Sequence, residues 1–180
     1  MTIELNDNQK TRIQRYIEAK DGSRPHLMTG VFSESAVLSM KVKTDSISFP
    51  ADSVGVEAVT DVLVRNFGKT YENVYTFCFS DSFGQDSDGL LSCRWLVGMS
   101  EKDTKNVRVG YGEYHWRFSE GDRGLVEHLT ITIEKMLELA PATSQQIMPW
   151  LEQLPYPFCH SQEVYQSMPE VESLSFDPLS

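Results

Sequence analysis

Among the 180 residues of this chain, Glu127 is the candidate for moving a proton. It lies in Leu125-Val-Glu-His-Leu-Thr-Ile-Thr-Ile133, a run that alternates apolar and polar residues. A second such run, Val107-Arg-Val-Gly-Tyr-Gly-Glu-Tyr-His-Trp-Arg-Phe118, precedes it across the turn Ser119-Glu-Gly-Asp-Arg-Gly124. Two alternating runs flanking a polar turn predict a long antiparallel hairpin. Matching their apolar faces sets Phe118 against Leu125, Trp116 against Glu127 and Tyr114 against Leu129. A carboxyl with aromatic neighbours has its charged form disfavoured, which tunes it for acid/base work near neutrality. Tyr16, on the inward stripe of a helix, is its candidate partner as a hydrogen-bond donor. Cys93, Trp95, Tyr114, Trp116, Leu129 and Met40 are the candidate walls of a substrate pocket. The competing interpretation puts Glu127 at a wet rim and makes Tyr16 a core aromatic with a satisfied hydroxyl.

His115 and His128 fall opposite each other on the other face of the hairpin, beside Glu113 and Arg117. Two histidines and a carboxylate can begin a metal site, but the set is incomplete within one chain, and polar interface residues account for it better. No metal is therefore expected. Gly110-Tyr-Gly112 lies inside a strand and is not a dinucleotide fingerprint, and neither a G-x-S-x-G elbow nor an H-E-x-x-H pair occurs. No cofactor is expected.

The formal charge of −10 argues against sequence-independent binding to nucleic acid and against an anionic membrane surface. The first residues lack the pattern of a signal peptide, and no apolar run has the length of a membrane span. Cys78, Cys93 and Cys159 are far apart and odd in number, which suits a reducing cytoplasm rather than a disulfide framework.

The elements that would carry these residues follow from periodicity. Asn6 and Gln9 predict a helix start, and Ile13, Tyr16 and Ile17 form its apolar stripe, ending before Asp21-Gly22. A second, short helix starts at Ser23 with Pro25 in its first turn. Ala36 to Val42 alternates as a strand, turned by Thr44-Asp45-Ser46 into a partner strand Ile47-Ser-Phe49 that Pro50 ends. Ser53 caps a third helix with the stripe Val56, Val59, Leu63 and Phe67. Val74–Ser80 and Leu90–Met99 are further strands, the latter pairing Trp95 with Gly112, Cys93 with Tyr114, Leu91 with Trp116 and Arg94 with Glu113. After Ala140 prolines concentrate, yet Tyr156, Phe158, Tyr165, Val171, Leu174 and Phe176 are too apolar for a plain disordered tail.

This order of helix, helix, hairpin, helix and meander resembles the nuclear-transport-factor-2-like superfamily, which includes ketosteroid isomerase, scytalone dehydratase and SnoaL-like cyclases. Phe32-Ser-Glu-Ser-Ala-Val-Leu38, Gly55-Val-Glu-Ala-Val59, and Gly112-Glu-Tyr114 followed by Gly124-Leu-Val126 carry the resemblance over roughly residues 6–138. It implies an α+β fold in residues 1–139: a cone-shaped, curved mixed sheet wrapped around three N-terminal helices, with a ligand at the open end. The proline-rich extension, 140–180, is expected to pack on the domain or a partner subunit.

The implied function is binding of a small apolar ligand, with cofactor-free isomerisation, dehydration or cyclisation through Glu127 and Tyr16. The alternative is a non-catalytic binding or assembly protein, including a role like that of a dioxygenase small subunit. A homodimer is expected through the convex sheet face, whose composition mixes Leu96, Val126 and Tyr111 with polar residues.

Overall fold

A computed structural model of the chain describes residues 2–121, 123–172 and 174. Asp122 of the hairpin turn and Phe176 of the extension lie outside the described residues. Helix α1 (Asp7–Asp21) opens with the anticipated capping box. Gln9 N donates to Asn6 Oδ1 at 2.8 Å and Asn6 N to Gln9 Oε1 at 3.0 Å, satisfying donors that a helix start leaves without partners. Its inward face buries Ile13, Tyr16, Ile17 and, one turn on, Lys20. A short 3₁₀ turn, Pro25–Gly30, leads into strand β1 (Phe32–Val42).

Two local expectations need correction here. Ile47-Ser-Phe49 is not a strand; β1 pairs instead with β2 (Asp52–Val54), beyond Pro50. Ser53 is therefore spent in the sheet opposite Leu38, and the next helix starts at Gly55, whose φ of 94° suits a residue without Cβ. Helices α2 (Val56–Thr60) and α3 (Asn66–Thr70) are joined through a π-helical stretch, Asp61–Arg65. Val59, Leu63 and Phe67 face inward as their spacing predicts.

The remaining strands are β3 (Tyr71–Phe79), β4 (Gly84–Gln85), β5 (Leu91–Glu101), β6 (Val107–Phe118), β7 (Val126–Leu139) and β8 (Phe158–Cys159). They form one curved, unclosed sheet in the order β2-β1-β7-β6-β5-β3-β8, with β4 on β5. The β1–β7 and β3–β8 pairs are parallel and the others antiparallel, so the sheet is mixed. The architecture is the α+β cone.

The β5–β6 register matches Trp95 with Gly112, Cys93 with Tyr114 and Arg94 with Glu113, as the apolar faces require. The β6–β7 register differs from expectation. Trp116 lies opposite Leu129, Tyr114 opposite Ile131, and Phe118 opposite Val126. At Trp116 and Tyr114 the slide is two residues, which keeps those side chains on their faces, so face-matching alone could not choose between these pairings; at Phe118 it is one, which turns Val126 inward. A bulge near Arg117 and Phe118 leaves Glu127 between the paired residues Val126 and His128. A second bulge sits at Tyr111/Gly112. A Cβ on Gly112 would lie 1.8 Å from Thr132 O and 2.9 Å from the Trp95 ring, so no larger residue fits.

Each face of the sheet supports its own core. The inner face packs on α1, α2 and α3. The outer face, along β3, β5 and β6, is covered by helices α4 (Ser144–Gln153) and α5 (Ser161–Ser167) of the extension. Leu96, expected at a dimer interface, is fully buried in that outer core, and Val126 belongs to the inner one. The chain's own extension thus occupies the apolar part of the surface assigned to a second subunit.

Leu151 of α4 packs directly over Gly98, where a Cβ would come within 2.2 Å of Leu151 Cδ1. Leu151→Ala removes a fully buried side chain and should cost about 2–5 kcal/mol in urea unfolding. A loss below about 1 kcal/mol would mean that α4 is not docked in solution.

Candidate functional site

Helix α1 brings Tyr16 and Lys20, four residues apart, into the mouth of the cone. Tyr16 stands edge-on to Tyr114 (ring centroids 5.8 Å apart, 89°) and to Trp116 (5.4 Å, 74°). Trp95 stacks on Tyr114 at 5.6 Å. Above this aromatic floor lies a cavity of ≈ 40 Å³. Its walls are Met40 of β1, Leu63 and Phe67 of the helical segment, Val97 and Met99 of β5, and Ile131, Ile133 and Met136 of β7. Ile47 and Phe49 close it. The same two residues and Phe67 form the wall of an outer pocket of ≈ 350 Å³ that also meets Ser46, Ser48, Asn66 and Thr70. Arg108 Nη1 and Ser46 Oγ tie the covering segment down, the first to Ser46 O and the second to Met136 O, both at 2.6 Å.

The polar groups on this apolar wall are few. Lys20 Nζ donates to Thr76 Oγ1 at 2.6 Å and to Asp21 Oδ1 at 3.2 Å, and lies 4.8 Å from the centre of the Phe67 ring. An ammonium has three protons, so these two bonds leave one over. Tyr16 Oη and Trp95 Nε1 are buried without a hydrogen-bond partner among the described residues. The Tyr16 and Tyr114 hydroxyls influence each other but do not reach full hydrogen-bond geometry at Tyr16. Burial pushes both phenols well above their ordinary range, so each stays protonated and acts as a donor.

Of the residues singled out from sequence, Tyr16, Met40, Trp95 and Tyr114 line the cavity. Cys93, Trp116 and Leu129 are buried in the same core but do not reach its wall. Glu127 is exposed at the bulge, because the unpaired residue there turns out of the inner face. It meets neither Trp116 nor Tyr16, and the acid/base pair drawn from the sequence is not assembled. His115 and His128 are not opposite each other: they pair with Thr130 and Arg117. His128 Nε2 instead lies 2.9 Å from Ser39 Oγ on the outer face. Among the described residues no group of three or more His, Cys, Asp or Glu could hold a metal ion.

Sequence reasoning missed Lys20 and Asp21. The signal was present, since Lys20 lies four residues after Tyr16 on the same helical stripe. A stripe defined by hydrophobicity ends at a charged residue, so Lys20 marks the pattern's limit rather than a member of it.

No family model matches the chain, and neither does any curated protein sequence. Solved structures do share its fold. A nuclear transport factor 2-like superfamily protein from Salmonella enterica serovar Typhimurium is 14% identical with a TM-score of 0.57, the match covering 71% of this chain and 91% of that one. The type 2 hexachlorocyclohexane dehydrochlorinase LinA is 10% identical (TM-score 0.60; 74% and 87% covered). A proposed isomerase from Rhodopseudomonas palustris is 11% identical (TM-score 0.59; 73% and 93% covered). No helix among the described residues is long and apolar enough to cross a membrane.

Two substitutions check this placement. Glu127→Gln should change stability by no more than about 0.5 kcal/mol, as for an exposed side chain without special contacts. Tyr16→Phe, which removes a hydroxyl lacking a partner, should leave stability within about 1 kcal/mol or raise it. Chemical denaturation measures both, and a loss of several kcal/mol in either variant would contradict the placement.

Proposed function

Because the chain has the nuclear-transport-factor-2-like fold, we propose that its inner cavity binds a small, largely apolar molecule carrying one hydrogen-bond-accepting oxygen, such as a carbonyl. The observation that carries this proposal is that Lys20, Tyr16 and Trp95, each with a donor on its side chain, are among the residues lining an apolar cavity, and that Tyr16 Oη and Trp95 Nε1 have no partner among the described residues. A buried donor without a partner costs about 1–3 kcal/mol, and an acceptor supplied by a ligand would recover part of that. A cavity of ≈ 40 Å³ has room for about three waters, so a ligand the size of cyclohexanone enters only as Ile47, Phe49 and Phe67, shared with the outer pocket, move aside.

Binding is better supported than acid/base catalysis. Among the described residues no Asp, Glu or His lines the cavity, and burial keeps Tyr16 and Tyr114 protonated, which disfavours them as bases. A second reading, a cofactor-free isomerase, dehydratase or cyclase, draws on the Lys20–Asp21 pair beside the cavity. There Lys20 and the tyrosines would stabilise negative charge developing on a substrate oxygen. The small-molecule chemistry named for the dehydrochlorinase and the proposed isomerase accords with either version.

Matched probes test the proposal by calorimetry. Cyclohexanone should bind at least about tenfold more tightly than cyclohexylammonium, a difference of about 1.4 kcal/mol. Lys20→Met keeps length and apolar bulk and should weaken cyclohexanone by about the same factor, while Asp21 keeps Thr76 and Tyr156 as donors. Equal binding of the two probes, or none of either, would count against the proposal.

A further inference from the structure

We propose that Tyr156, supplied by the C-terminal extension, is a positioning residue for the cavity: it fixes Asp21 from the outside, and Asp21 fixes Lys20 on the inside. The inference rests on the reading that Lys20 meets the ligand. It assigns to the extension a role in the site that it does not line.

The sheet delivers Tyr156 to this place. Strand β8 runs parallel to β3 with Phe158 beside Cys78, and Cys78 N donates to Pro157 O at 2.8 Å. Just ahead of this strand, the Tyr156 ring lies against Tyr75 and Phe77, the two neighbours of Thr76 in β3. Thr76 is the residue that binds both Lys20 and Asp21. The Tyr156 ring is held edge-on by Phe77 (5.7 Å) and Tyr75 (6.2 Å), and its hydroxyl donates to Asp21 Oδ2 at 2.7 Å.

Asp21 is thereby fully committed. Oδ1 accepts from Lys20 Nζ at 3.2 Å and Thr76 Oγ1 at 2.8 Å; Oδ2 accepts from Thr76 N at 2.7 Å and Tyr156 Oη. Two different donors on each oxygen fix the plane of the carboxylate as well as its position. Its side chain is only 5% exposed and that of Lys20 9%, so the pair is weakly screened and sensitive to each contact. Without the phenol, Oδ2 would keep one donor and face the surface groove between Glu18, Arg24 and Tyr75. The carboxylate could then turn, drawing Lys20 with it. Burial and the neighbouring Asp21 charge push the Tyr156 phenol well above its ordinary range, so it donates throughout the neutral pH range.

The test uses the full chain labelled with nitrogen-15, reading the Lys20 ammonium signal, which Lys20→Met identifies by its loss. Tyr156→Phe deletes one hydroxyl and keeps the ring. It should displace that signal, speed its proton exchange about 3–10-fold and weaken cyclohexanone by about the same factor, as expected for a lost hydrogen bond to a charged group. In an Asp21→Asn background, Tyr156→Phe should have no further effect on Lys20. A Lys20 signal that neither moves nor exchanges faster in Tyr156→Phe overturns the inference. If the signal responds while cyclohexanone affinity does not, positioning stands and the assignment of Lys20 to the ligand falls. If cyclohexanone fails to bind the unaltered protein, the cavity proposal fails and the Lys20 signal alone still decides the role of Tyr156.

Discussion

The position of Tyr16 governs the interior of the cone. Its ring meets Tyr114, Trp116 and Phe32 edge-on, and each such contact is worth about 0.5–1.5 kcal/mol beyond the area buried. Three rings of fixed orientation, two on β6 and one on β1, leave α1 little freedom to slide or roll. Lys20 is four residues farther along, about 6 Å up the helix axis. The aromatic wedge that anchors α1 therefore also sets the height at which Lys20 meets the cavity.

For α1 to sit inside the sheet, the sheet must bend around it. Gly112 allows the bend, because backbone of β7 and the Trp95 ring occupy the space where a side chain would go. Bulges at Gly112 and near Phe118 interrupt the ladder where curvature is needed. Curvature leaves an outer face that also needs cover, and the chain supplies it. Gly98 on that face admits Leu151, so α4 lies close against β5. The helices inside and the extension meet at β3, whose Thr76 bonds inward to Lys20 and whose Cys78 N donates across the sheet edge to Pro157 O of the extension.

Much of this fold was legible in the sequence because the relevant signals are local. The Asn6/Gln9 cap, the alternation of β5 and β6, and the stripe Val59, Leu63 and Phe67 each depend on near neighbours. The β6–β7 register was not legible. Alternation has a period of two, so pairings two residues apart are equivalent by face, and a bulge then reversed the orientation of Glu127. That one unpaired residue separates a buried carboxylate from an exposed one. The site was half legible for a related reason. Aromatic residues announced the floor at Trp95 and Tyr114, whereas Lys20 lay in a stripe defined by hydrophobicity, where a charged residue reads as the end of the pattern. Asp21 and Tyr156 meet across 135 positions of sequence, and no local pattern could have joined them.

The Lys20–Asp21 pair is itself informative. Burying two charges carries a desolvation cost that their attraction often fails to recover, and well-packed apolar residues in place of such pairs are commonly neutral or better by about 1–4 kcal/mol. Stability alone therefore gives little reason for a lysine inside this core. The arrangement has a clear polarity instead. Asp21 turns its oxygens toward Thr76 and Tyr156, and Lys20 is left between the carboxylate and the cavity. The charges cancel at a distance, so under the proposed function a neutral ligand would enter without a large electrostatic penalty. Close to the wall the cavity meets the ammonium end, alongside Tyr16 and Trp95. Under the proposed function an acceptor would be favoured there over a cation, since both Asp21 oxygens are already engaged.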